Sequence, residues 1–226
     1  MIPFVIFIVI ALVSYLVQAS LKNKFEQYSR EPIPSGMSGR DIALKMLRDN
    51  GIYDVQVRST NGFLTDYYNP MDKTVNLSEG VYNSCSVAAA AVAAHECGHA
   101  VQHATQYKYL QMRSKLVPAV NFASQWMSWI LLAGILLVNT LPQILIIGIV
   151  LFAITTLFSF ITLPVEIDAS RRALAWLNSS EIAVGINHSH AGDALRSAAY
   201  TYVVAALSSL ATLVYYIMIF LGSRRE

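Results

Sequence analysis

The stretch Val87-Ala88-Ala89-Ala90-Ala91-Val92-Ala93-Ala94-His95-Glu96-Cys97-Gly98-His99 sets the terms on which the rest of the chain can fold. Alanine is the strongest helix former, so the run predicts a helix that begins near Val81 to Ser86 and carries the H-E-x-x-H pattern on one of its faces. Two histidines four apart on a helix stand about 6 Å from each other, and both imidazoles can reach a single tetrahedral Zn²⁺. Glu96 is next to the first of them, where its carboxylate can reach an attacking water without binding the ion. Small residues precede His95 for only a short distance, and polar Glu96, Gln102, His103, Thr105 and Gln106 follow quickly. This helix is therefore a poor membrane span and calls for a domain outside the bilayer.

Working outward, the remainder of the chain is of a different character. Of its 226 residues 55% are apolar and only 13% charged, whereas soluble domains carry about a quarter charged residues. The mean hydropathy is +0.47. Four stretches, near 2–21, 118–138, 143–163 and 199–222, approach the roughly 20 apolar residues needed to cross a hydrocarbon core. The first reads as a retained anchor rather than a signal peptide, because no Lys or Arg precedes its apolar part, Lys22 and Lys24 follow it, and Val17-Gln18-Ala19-Ser20 is a weak cleavage site. The second carries Asn121, Ser124, Gln125 and Ser128, which suit a bundle interior, and Trp126 and Trp129, which suit an interface. The turn Asn139-Thr140-Leu141-Pro142 separates spans two and three.

Four spans put segments 22–117 and 164–198 on one side of the membrane. Near the span ends that side holds Lys22, Lys24, Arg113, Lys115, Arg171, Arg172 and Arg196, against Arg224 and Arg225 on the other. Excess Lys and Arg marks the cytoplasmic face, so the expectation is a multi-pass protein of the cell membrane with its site facing the cytoplasm. A net charge of +2 without a long basic run argues against nucleic acid as a partner. Cys85 and Cys97, read as members of one helix, would stand roughly 18 Å apart along its axis and could not pair. Free thiols suit a reducing compartment.

The organisation expected is an anchor at 1–21, a domain at 22–117, a hairpin of two spans at 118–163, a segment at 164–198 and a last span with a short tail at 199–226. Within the domain, Glu31-Pro32-Ile33-Pro34-Ser35-Gly36 reads as a loop. Ser38 can cap a helix that runs to about Asn50, with Ile42, Met46 and Leu47 on its apolar side and Gly51 as its stop. Val55 and Val57, Phe63–Tyr68 and Thr74–Leu77 read as short strands. Asn187-His188-Ser189-His190-Ala191-Gly192 reads as a loop. Strand Phe63–Tyr68 could take an extended peptide by edge addition.

The runs Leu77-Ser78-Glu79-Gly80-Val81-Tyr82 and Ser86-Val87-Ala88-Ala89 through Ala94-His95-Glu96-Cys97-Gly98-His99-Ala100-Val101-Gln102 closely resemble the bacterial YugP-type neutral zinc metallopeptidases. Leu163-Pro164-Val165-Glu166-Ile167-Asp168-Ala169-Ser170-Arg171-Arg172-Ala173-Leu174 is similar to that family's second motif. The likeness covers most of the chain. It implies an α-helical integral membrane protein of four transmembrane helices with a small α+β zincin-like cytoplasmic domain. The implied activity is that of a gluzincin-like zinc metalloendopeptidase acting on polypeptides, membrane proteins among them. The family in turn resembles the HtpX-type and CAAX-prenyl membrane proteases, in which a glutamate on a later helix completes a His, His, Glu set. By that resemblance the metal ligands are His95, His99 and Glu166 and the catalytic carboxylate is Glu96. Those relatives place an aspartate four residues after the glutamate. Here that position is Ser170, with Asp168 two residues after the glutamate, and which of the two orients a histidine is open.

The residues alone leave the third ligand among His103, Glu166, Asp168, Glu181, His188, His190 and Asp193, since a catalytic zinc keeps three protein ligands. Glu166 directly follows span three, where a charge near the membrane needs a partner. Tyr202, His188, His190 and Arg172 are candidates for stabilising an oxyanion. Two other readings compete. An intramembrane zinc protease would place the motif inside a span. A noncatalytic metal-dependent membrane scaffold would be expected to have lost Glu96 or a ligand.

Overall fold

The computed structural model describes residues 2–223, with side chains described for residues 7–222. The described chain is mostly helical, with one small sheet. Its elements are α1 (Ile2–Tyr28), α2 (Gly39–Asp49), β1 (Gln56–Thr60), β2 (Tyr67–Asn69), β3 (Thr74–Ser78), α3 (Glu79–Tyr82), α4 (Val87–Ala104), α5 (Lys108–Leu136), α6 (Pro142–Ser179) and α7 (Gly185–Ser223). Among them α1, α5, α6 and α7 are long and apolar enough to cross a membrane; α4 is not one of these. Arg224 and Arg225, counted above on the far side of the membrane, lie outside the described residues.

The chain divides into two compact units. One comprises the described residues up to Tyr15, Gln111–Leu163 and those from Tyr202 onward. Here α5 and α6 meet through small residues, as helices in apolar surroundings do. A Cβ built on Gly134 would stand 2.6 Å from Leu145 Cα, and one on Gly148 would stand 2.7 Å from the Leu131 side chain. Edge-on ring pairs join Phe7 to Tyr215 and Phe152 to Tyr216.

The second unit is Leu16–Leu110 with Pro164–Thr201. Its sheet has the order β1-β3-β2, with β3 in the middle, parallel to β1 and antiparallel to β2. Val75 pairs with Val57 on one side and Tyr68 on the other. All five residues of β3 are buried, as a central strand covered on both faces requires. α2 packs along α4, and β2 and β3 also lie against α4. Ser38 closes a reciprocal capping box with Asp41, satisfying two of the orphan groups at the start of α2, and Ile42, Met46 and Leu47 are buried. Gly51 follows the helix with φ of 71°, a left-handed stop natural to glycine. The core of this unit joins Phe25 and Tyr28 of α1, the apolar side of α2, Val75 and Leu77, the alanines of α4, Ala173 and Leu177 of α6, and Ala191 and Leu195 of α7.

Several sequence expectations are corrected. Strand β2 does not span Phe63–Tyr68: it begins only at Tyr67, because Gly62 (φ 115°) and Leu64 (φ 56°) turn the preceding residues out of extended conformation. Residues 187–192 are not a loop but the first turns of α7, whose start is set by left-handed Gly185 at φ 57°. Segment 164–198 is accordingly two helix ends and a short turn. Pro164 sits inside α6 without ending it, although an interior proline removes a ladder hydrogen bond. Cys85 lies ahead of the N-cap of α4 and is exposed, so it does not share that helix with buried Cys97; both thiols are free.

Candidate metal centre and active site

Helix α4 is fixed at its start before it presents any chemistry. Ser86 caps it by accepting from Ala89 N at 3.2 Å, and Val87 N donates to Glu31 O at 2.9 Å. The two variable residues of the motif are packing residues. Cys97 is fully buried, its Sγ 3.5 Å from Ala43 O on α2. Gly98 faces α6, where an added Cβ would stand 2.6 Å from the backbone oxygen of Ala169. Only a glycine lets α6 come this close to the helix that carries the histidines.

That approach brings Glu166 over the histidine pair. Its Oε2 lies 3.3 Å from His95 Nε2 and 3.5 Å from His99 Nε2. One donor atom from each of His95, His99 and Glu166 lies within 4.8 Å of the others. Two imidazole nitrogens and one carboxylate oxygen are the donor set of a catalytic zinc that keeps a position for water, so the residues present fit that ion. Glu166 is 2% exposed. Burial opposes its charge, yet the hydrogen bonds with His95 and His99 hold its carboxyl well below the usual range.

A second layer aims the two rings. Gln102 is fully buried; its Nε2 donates to Val165 O at 2.8 Å and to Asp168 Oδ2 at 2.9 Å, which turns its Oε1 toward His99 Nδ1 at 3.1 Å. An amide oxygen can only accept, so His99 donates through Nδ1, which leaves Nε2 as the nitrogen that would meet a metal ion. Ser170 Oγ lies 3.0 Å from His95 Nδ1 and fixes the orientation of that ring. Asp168 is in turn fixed by Arg172 Nε at 2.6 Å and by Arg171 at 3.5 Å. The two positions left open by the sequence thus divide the work: Ser170 contacts His95 directly, and Asp168 acts on His99 through Gln102. Gln102 was missed as a functional residue, though its place one turn after His99 on the same helix was a usable signal.

Glu96 is 8% exposed. Burial pushes its carboxyl above the usual range; His95 and His99 pull it down, while Glu166 and Asp66 add to the rise. A carboxylate so raised is better matched to taking up a proton near neutrality.

The other candidates are placed elsewhere. His103 is exposed, with its Nδ1 2.8 Å from Tyr68 OH. His188 Nε2 lies 3.2 Å from Leu174 O, and His190 pairs with Glu31 while its ring stacks on Tyr28. Asp193 binds Lys24 and Tyr28, both at 2.7 Å. Glu181 is exposed at a left-handed φ of 58°. Of the oxyanion candidates, Arg172 is engaged with Asp168, and Tyr202 belongs to the other unit.

Comparison with known proteins adds an independent finding. Residues 3–221 match the family described as "Putative neutral zinc metallopeptidase". The chain is 42% identical over 213 residues to the "Putative membrane protease YugP" of Bacillus subtilis (strain 168), covering 94% of each chain. No solved structure matches significantly.

Proposed function

The chain belongs to this neutral zinc metallopeptidase family, and on that premise we propose that it is a membrane-bound peptidase in which His95, His99 and Glu166 hold Zn²⁺ and Glu96 is the general base. The observation that carries the reading is the convergence of three donor atoms within 4.8 Å, two of them with their far ring nitrogens held by Gln102 and Ser170. When bound, zinc supplies Lewis acidity toward the scissile carbonyl and makes water a stronger acid. Glu96 takes a proton from the attacking water as the new C–O bond forms, and passes it to the leaving amine nitrogen as the C–N bond breaks. Buried Glu166, Gln102 and Asp168 keep the rings in place throughout.

In this reading the four long apolar helices anchor the chain in the membrane, and the Lys and Arg bias near their ends supports a site on the cytoplasmic side. At about 1.5 Å per residue the 38 residues of α6 extend about 57 Å, well beyond the roughly 30 Å hydrocarbon core. With 143–163 in the bilayer, Glu166 stands about one turn past it.

The deciding experiment is Glu96→Gln in purified protein. This variant should keep its zinc and its fold while peptide cleavage falls by about 10²–10⁴-fold, the usual worth of a positioned base. Undiminished cleavage would overturn the role given to Glu96.

A further inference from the structure

Away from the metal centre, the connection between β1 and β2 exposes apolar side chains. Phe63 is 55% exposed and Leu64 37%. The connection has a defined shape: Thr65 Oγ1 donates to Asn61 O at 3.0 Å, Gly62 has φ of 115° and Leu64 φ of 56°. A leucine takes a left-handed conformation only under constraint. One end of the connection is fixed where Phe63 meets Phe25 of α1 edge-on, ring centroids 5.3 Å apart. The other end is fixed where Asp66 accepts from Ser78 N at 2.7 Å, just before β2 lies down on α4.

The contact with Phe25 sets the level of this connection. The apolar run of α1 ends near residue 21, so Phe25 lies about 6 Å beyond it at about 1.5 Å per residue. Lys22, whose side chain is well exposed, marks the same level, where lysines meet lipid phosphates. Phe63 and Leu64 thus stand exposed near the level at which the apolar run of α1 gives way to charged residues. An aromatic ring beside lysines is the side-chain chemistry of an interfacial anchor.

We propose that Phe63 and Leu64 seat in the interfacial layer of the bilayer, and that this lipid contact presents β2 and the Glu96 face of α4 to polypeptides tethered close to the membrane. The lipid seat rests on the four spans proposed above; its consequence for substrates rests also on the peptidase reading.

The test uses the full chain in vesicles of phosphatidylcholine and phosphatidylglycerol. In a Cys85→Ser background, with Cys97 buried, Leu64→Cys carries an environment-sensitive fluorophore. Met71→Cys, at the opposite end of β2 and 89% exposed, carries the same label. Lipids with a nitroxide near the headgroup should quench the label at 64 several-fold more than that at 71; equal quenching overturns the lipid seat. Phe63→Ser and the milder Leu64→Ser, which keeps the Phe25 contact, should both slow cleavage of a membrane-tethered reporter while leaving a soluble peptide of the same cleavage sequence unaffected. Equal loss on both substrates overturns the substrate consequence. Absence of any cleavage by the wild-type chain overturns the peptidase reading and leaves the quenching result to stand by itself.

Discussion

Replacing Gln102 with Leu keeps most of its volume but removes one acceptor and two donors. Three contacts go with them: His99 Nδ1 at 3.1 Å, Val165 O at 2.8 Å and Asp168 Oδ2 at 2.9 Å. Asp168 keeps Arg172 at 2.6 Å, so the loss falls mainly on His99, whose Nδ1 proton no longer has this acceptor. At about 1 kcal/mol net per hydrogen bond and about 1–3 kcal/mol for a buried group left unpaired, the fold should lose about 2–4 kcal/mol. Removing such a support for a ligand typically costs about 10–100-fold in metal affinity. Zinc competition against a chromogenic chelator measures that affinity, and thermal melts with and without zinc separate it from folding. Ser170→Ala, which removes one contact to His95, should cost only about 1 kcal/mol, or about fivefold. A structural role alone would lower the melting temperature equally in both zinc conditions. The visible bands of cobalt-substituted protein should also change, since they follow the geometry of the ligands. A Gln102→Leu protein with wild-type zinc affinity and an unchanged cobalt spectrum would refute the argument that this amide aims His99.

Glu166→Ala should lose zinc and activity, whereas His103→Ala and His190→Ala should keep zinc; retention by the first and loss by either of the others would mean that the third ligand is misassigned. Chelation of the wild-type protein should lower its melting temperature, and zinc restored to about 100 times its dissociation constant should return about 2.7 kcal/mol. Gly98→Ala puts a methyl group 2.6 Å from Ala169 O, so it should cost about 1–3 kcal/mol as overpacking does and weaken zinc binding too; a wild-type melting curve would show that α6 can yield without consequence. Cysteines placed at Ser38 and Ser179 in a cysteine-free chain should both resist an impermeant thiol reagent in intact cells while one at Ser223 reacts. Labelling of Ser38 without Ser179 would break the shared-face topology.

The parts of the fold that could be read from the sequence are those whose cause is local. The capping box of Ser38 with Asp41, the apolar side of α2 and the stop at Gly51 all depend on residues within a few positions of one another. The alanine run makes α4 a helix, and the apolar stretches are long enough to announce themselves. Local signals misled where the backbone was set by something not visible in a pattern. Phe63–Tyr68 carries aromatic and β-branched residues that suit a strand, but left-handed Gly62 and Leu64 bend its first residues away. His188 and His190 sit among loop-forming residues, yet the core of their unit, with Ala191 and Leu195, holds them in α7.

By itself the sequence determined the spacing of His95, Glu96 and His99, because the helical repeat places i and i+4 on one face whatever surrounds it. The likeness of its motifs to a known family pointed to Glu166. Only the tertiary structure decided that Glu166 faces the pair, 71 residues away along the chain, and that Gln102, Ser170 and Asp168 share the orientation of the two rings. The direction of a carboxylate on α6 depends on how closely that helix approaches α4, and this approach is set at Gly98 by contact with Ala169. Such a contact joins segments that no local periodicity relates, so it exists only once both helices have packed.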